Sequence, residues 1–513
     1  MAKVTLKISN ELAACDPCDK PILIVGTKTL LSSLSYDTIK NKLQPVVSKE
    51  VFESAVEYIQ TSSSDSVPLY MRDAVLARLP SSCSRHNTPS QVHYLTKLVK
   101  SYSFQSDGYV VMVCEYSNAF PSACAIARAF PLFTKKNGGS PHTVTVEFII
   151  LSPDGSKVSP LTDEDLKCLT AAADGIRIAS KIVDTPCNDM NTDTFLQEIK
   201  LVADKLSAKL EVIQGEELDK RGLGGIYSVG RAAEHPPALA VLSHTPPNAK
   251  ETIAWVGKGI VYDTGGLCIK SRSSMTGMKR DCGGAAAILG AFYVTVSMGF
   301  KENLHAIFCL AENAVGPKST RPDDIITMYS GKTVEVNNTD AEGRLVLGDG
   351  VFYAKKDLCA TTILDMATLT GAQGISTGKY HAALLTNSEE WEKATVRAGK
   401  NSGDLIHPLP YTPEIHFNEF HSCMADMKNA VADASNAASA CAGLFIGSHI
   451  GFDFDGNWIH IDMSKVSYSG ERATGYGVAL LSTLFATASD CQMLQTLAPQ
   501  FGDEDKSIFQ ARK

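Results

Sequence analysis

The sequence predicts an α/β protein of two domains. An N-terminal α/β domain spans 1–170 and ends in a connecting helix. A C-terminal α/β domain spans 171–513 and carries a mostly parallel central sheet flanked by helices. Three observations predict this. At 513 residues the chain exceeds one ordinary hydrophobic core. Short apolar runs alternate with stretches of helical periodicity along nearly its whole length. A composition of 44% hydrophobic and 20% charged residues is that of an ordinary globular protein.

In the first domain, Pro21–Val25, Tyr109–Cys114 and the alternating Thr143–Ile150 are strand candidates, with helical patterns over Gln91–Tyr102 and Ala119–Phe130 between them. Thr162 with Asp165 three residues on is a capping signal. It predicts a helix running to about Val183 and stopped by Pro186. In the second domain the expected strands are Leu210–Ile213, Ala238–Leu242, Thr252–Val256, Leu304–Leu310, Thr362–Asp365 and Trp458–Asp462. Helices are expected over Ala285–Met298, Arg344–Lys355, Cys441–His449 and Gly475–Ala488. That alternation gives a parallel sheet covered on both faces, whose ligands gather at the carboxyl ends of its strands.

A net charge of −8 argues against a nucleic-acid or anionic-membrane partner. The opening residues have no apolar stretch, so no secretory signal is expected, and no run of about eighteen apolar residues predicts a membrane span. The 14 cysteines are scattered through apolar contexts, as reduced thiols of a cytoplasmic protein would be. Cys15 and Cys18 form a lone C-x-x-C with no second pair at zinc-site spacing.

The chemistry concentrates in Asn337-Asn338-Thr339-Asp340-Ala341-Glu342-Gly343-Arg344-Leu345. Two carboxylates and a guanidinium at alternate positions share one face of an extended segment, which is expected to lead into a helix near Leu345. Oxygen ligands so placed suit a hard metal ion. On these residues alone a solvated loop with an internal ion pair is an equal alternative. Upstream lie Lys258, Asp263 and Lys270 in a glycine-rich run after a strand, then Met278 and Asp281 before Cys282-Gly283-Gly284.

Together these blocks resemble the leucyl aminopeptidase family, whose NTDAEGRL signature is present unbroken over Asn338–Leu345. The resemblance implies a dinuclear-metal aminopeptidase acting on short peptides with a free N-terminus, through a water bridging two divalent ions. Zinc is expected, with manganese, cobalt or magnesium as alternatives. It assigns Asp263, Asp340 and Glu342 to one ion, and Lys258, Asp263, Asp281 and Glu342 to the other. Lys258 would bind as the neutral amine; without the resemblance that residue reads rather as a salt bridge to Asp263. Lys270 would face the developing oxyanion. Counting charges in the loaded site leaves a positive surplus, and the resemblance implies bicarbonate on Arg344 as general base. It also implies a homohexamer enclosing its sites.

Met278, Asn338, Thr368, Leu369 and Gly371 match family positions that line the first-residue pocket or bind substrate backbone. Core packing would explain the same residues. After His460-Ile461-Asp462-Met463 the family has small residues where this chain has Ser464-Lys465, which leaves leucine preference in doubt. His460, in an apolar strand, reads as a hydrogen-bonded core histidine. Gly283-Gly284 reads as close helix packing. No H-E-x-x-H or G-x-S-x-G occurs.

Overall fold

The computed structural model describes residues 4–156 and 158–501. The chain divides into two compact units. One comprises Met1–Arg177 with Lys400–Gly403 and Cys491–Leu497; the other comprises Ile178–Gly399, Asp404–Asp490 and Ala498–Lys513.

The first unit contains a six-stranded sheet of β1 (Val4–Ser9), β2 (Ile22–Thr27), β3 (Ser66–Tyr70), β4 (Ala74–Leu79), β5 (Gly108–Cys114) and β6 (His142–Ile150), in the order β1-β6-β5-β2-β4-β3. All pairings are parallel except β3 with β4. Ile22 to Val25 on the interior strand β2 are essentially inaccessible, as a strand covered on both faces requires. The predicted capping signal is formed. Thr162 N donates to Asp165 Oδ2 at 2.8 Å, Asp165 N donates to Thr162 Oγ1 at 3.1 Å, and the helix runs Asp163–Asp184. The division between units falls within that helix.

The strands of the second unit include β7 (Lys209–Gln214), β8 (Ala238–His244), β9 (Thr252–Asp263), β10 (Asn303–Asn313), β11 (Ile325–Thr327), β12 (Thr333–Glu335), β13 (Thr362–Ala367), β14 (Ala382–Thr386), β15 (Ile406–Pro408), β16 (Met427–Lys428) and β17 (Asn457–Asp462). Eight form one sheet in the order β15-β14-β17-β13-β9-β10-β8-β7. Its centre, β17-β13-β9-β10, is parallel. Antiparallel partners β14 and β8 border that centre. A small sheet joins β11, β12 and β16.

Two expectations need correction here. β9 does not end at Val256: it continues to Asp263, so Lys258 lies inside the strand, paired in register with Cys309 of β10. The sequence Gly257-Lys258-Gly259 looks like a break, but each glycine has a packing reason. A Cβ on Gly257 would come within 2.5 Å of Ala285 Cα, and one on Gly259 within 2.5 Å of Leu310 Cδ2. The helix Gly283–Ser297 therefore lies almost on the strand backbone. The expected helix Gly475–Ala488 is shorter, Val478–Leu484, because Gly477 at φ 97 delays its start and a 3-10 turn follows it. Gly283-Gly284 does serve close packing: a Cβ on Gly284 would sit 2.0 Å from the Met366 carbonyl oxygen of β13. Gly284→Ala should therefore destabilise the second unit by about 1–3 kcal/mol or more, read as a lowered thermal unfolding midpoint; an unchanged midpoint would show that helix and strand can part without cost.

Candidate active site

The site forms where β9 ends and the loops after β12 and β13 converge. β9 delivers Lys258 on the face opposite its two glycines. There Gly343 of the signature clears its path, since a Cβ at that position would lie 2.7 Å from Lys258 Cδ and Cε. Lys258 Nζ reaches Asp281 Oδ2 at 2.7 Å, Glu342 Oε1 at 2.8 Å and the Thr368 carbonyl at 3.1 Å. Lys270 Nζ lies 2.8 Å from Asp263 Oδ2 and also contacts Asp340. Asp263, Asp281 and Glu342 are buried and Asp340 is half-buried.

The signature itself departs from the extended run expected of it. Thr339 and Asp340 form a turn, Glu342 already has helical dihedrals (φ −78, ψ −34), and the helix begins at Gly343 rather than Leu345. Asp340 and Glu342 converge because the chain turns between them. With Asp263 they offer ligand atoms all within 4.8 Å of one another. These are the three carboxylates that the resemblance assigns to one ion.

Electrostatically the cluster is short of positive charge. Burial pushes Asp340 up to about 6 and raises Asp281. Burial, with the negative charge of Asp263, pushes Glu342 up to about 8. Burial also works against the charge on Lys258, but Asp281, Glu342 and Asp263 together outweigh it and hold the ammonium more firmly protonated than usual. Carboxylates that hold protons more tightly than usual and draw in two ammonium groups are a donor set that divalent ions would satisfy. The neutral amine expected of Lys258 requires such ions beside it. Arg344 Nη1 donates to the Asn429 carbonyl at 3.0 Å, while its buried Nε has no hydrogen-bond partner among the described residues.

All five expected pocket residues, Met278, Asn338, Thr368, Leu369 and Gly371, line one cavity of ~780 Å³ together with the acidic cluster. Thr368 also orients the cluster, its Oγ1 donating to Asp281 Oδ1 at 2.8 Å. Asn338 Oδ1 accepts from Asp340 N at 2.9 Å. His460 is the core histidine expected: it is buried, with Nδ1 2.5 Å from Asp365 Oδ1 on the neighbouring strand.

Three supporting residues escaped the sequence reading. Asn313, at the carboxyl end of β10, donates to Asp263 Oδ1 at 2.8 Å and to the Thr339 carbonyl at 3.1 Å; its place after an apolar strand was the available signal. Buried Asn429 accepts from the backbone N–H groups of Asn337 (2.9 Å) and Asn338 (3.2 Å) and donates to the carbonyls of Asn338 (2.7 Å) and Ala341 (3.3 Å). Asp462 accepts from Leu369 N, Thr370 Oγ1, Ser439 Oγ and Ser464 N, fixing two walls of the cavity. Neither of these two stands in a motif.

Residues 177–482 match the cytosol aminopeptidase family, catalytic domain, and residues 20–139 match the M17 aminopeptidase N-terminal domain 2. The chain belongs to the cytosol aminopeptidase family. The probable aminopeptidase NPEPL1 of Homo sapiens is 57% identical over 504 residues, 97% of this chain and 96% of that protein. Among solved structures, the leucine aminopeptidase of Caenorhabditis elegans superposes with a TM-score of 0.90 at 41% identity, covering 95% of this chain and 99% of that one. The leucyl aminopeptidase of Trypanosoma brucei in complex with bestatin gives 0.82 at 35% identity, covering 94% of each. Membership of the cytosol aminopeptidase family makes this chain a metal-dependent aminopeptidase.

Outer hydrogen-bond partners of metal-binding groups commonly contribute 10–100-fold to metal affinity. Asn429→Ala should raise the free metal concentration needed for half-maximal activity by about that factor. A metal titration superimposable on the wild type would show that the signature loop holds its own shape.

Proposed function

We propose that the chain removes the N-terminal residue from short peptides with two divalent ions held by Lys258, Asp263, Asp281, Asp340 and Glu342. The observation that carries this is the convergence of Asp263, Asp340 and Glu342 within 4.8 Å, in a cluster that draws in two ammonium groups. Ions bound there would supply Lewis acidity to the scissile carbonyl and an acidified water.

The chain's own groups do the rest. Asp281, oriented by Thr368, accepts a hydrogen bond from the substrate's free α-amine, which a blocked peptide cannot offer. Lys270, freed from its carboxylate partners, directs its ammonium at the oxygen on which negative charge develops. Arg344 offers its unpartnered Nε to a small anion, with bicarbonate the ion the resemblance implies. Met278, Leu369 and Gly371 bound the space for the first side chain, and Asn338 and Thr368 face the substrate backbone.

We place this activity in the cytoplasm, in a homohexamer. Support for the compartment comes from the free thiols; among the described residues no helix is long and apolar enough to cross a membrane. A closed symmetric shell would keep folded proteins from a site that cleaves short peptides. Light scattering should give a mass near six times 55.0 kDa; a fully active monomer would refute the assembly.

Asp340→Ala and Glu342→Ala should each abolish hydrolysis and release metal by elemental analysis. Normal turnover with both ions retained would sink the ligand assignment. Lys270→Ala should keep both ions and lower kcat by about 10²–10³-fold, the loss of one transition-state donor; a drop in metal content instead would make that lysine structural.

A further inference from the structure

The cavity carries positive charge that the acidic cluster does not use. Among its described lining residues the carboxylates are Asp263, Asp281, Asp340 and Glu342, all in the cluster. Lys258 and Lys270 pair with them, and Arg344 is tied to Asn429. Two lining cations remain, Arg280 and Lys465. Neither forms an ion pair among the described residues, and both are half-buried.

Both contact one aromatic side chain. Arg280 Cζ lies 3.6 Å from the Tyr468 ring centroid, while Lys465 Nζ lies 6.0 Å from it and 3.4 Å from the Tyr468 hydroxyl. The backbone is shaped to admit both. A Cβ on Gly277, at φ 93, would fall 2.1 Å from Arg280 Nη2, and a Cβ on Gly374 would fall 2.4 Å from Lys465 Cγ. Lys465 N is also pinned to Gln373 Oε1 at 2.7 Å. Ser464 and Ser467 make the same wall polar. Two cations gathered on one phenol, in a wall that also carries two serines, form a receptor for a carboxylate.

We propose that Arg280 and Lys465, both held against Tyr468, bind a carboxylate of the substrate and give this enzyme a preference for peptides that present one within the cavity. The inference rests on the aminopeptidase reading above. Two substrate groups have this chemistry: the side chain of an acidic first residue, and the C-terminal carboxylate of a dipeptide.

Matched substrate pairs separate the two sources on the full-length, metal-loaded enzyme. kcat/KM is compared for Glu-anilide against Gln-anilide, and for Leu-Gly against Leu-Gly-amide. One pair should favour its carboxylate member by about 10- to 100-fold, the advantage shrinking at high salt, and the pair that responds names the source. Lys465→Met and Arg280→Gln should each reduce that ratio, and Lys465→Glu should invert it. Both wild-type ratios near one would overturn the proposal while leaving the aminopeptidase reading intact. No hydrolysis of any of the four would overturn both. A wild-type preference that survives high salt and all three substitutions would remove it from these residues.

Discussion

The site depends on a lysine buried inside a central strand. Lys258 can occupy that position only because the strand has no side chain on either side of it and the signature helix has none at Gly343. Glycine at 257 and 259 lets the helix Gly283–Ser297 press on the opposite face, and that helix starts two residues after Asp281. Glycine at 343 lets the helix carrying Glu342 close over the lysine stem. The distances of 2.7 and 2.8 Å from Nζ to Asp281 and Glu342 follow from these three absent side chains. A buried charge so placed is tolerable because it is shared among several carboxylates.

Around that lysine the remaining functional groups come from separate loops that share hydrogen bonds. Asn313 links Asp263 to the turn before Asp340, and Thr339 Oγ1 ties the same turn to Gly265 and Cys268. Asn429 braces the signature with its side chain and Arg344 with its carbonyl. The acids are thus crowded by hydrogen bonds made to their neighbours rather than by attraction among themselves. Such a frame keeps like charges together until cations neutralise them.

Much of this was legible in the chain. Long apolar strands such as Leu304–Leu310 and strongly signalled helices such as that capped by Thr162 and Asp165 appear where periodicity put them. The chemically specific residues singled out in the sequence line one cavity. What was not legible depends on contacts distant in sequence. Lys258 looked like a residue after a strand, since the reason for its flanking glycines lies in Ala285 and Leu310. The signature looked extended, since only the tertiary frame shows that it turns. Asn429 and Asp462 are ordinary residues whose importance comes entirely from the loops that fold against them. The short strands β11, β12 and β16 are too brief to carry a period.

The pairing of β9 has one more consequence. It is held in register by β10 on one side and β13 on the other. Side chains alternate along a strand, so a slip of a single residue would turn Lys258 toward Ala285 and present a glycine to the carboxylates. Strand alignment and catalytic competence are therefore decided in the same event during folding. A molecule that acquires this sheet correctly acquires with it the lysine that its acidic cluster closes around.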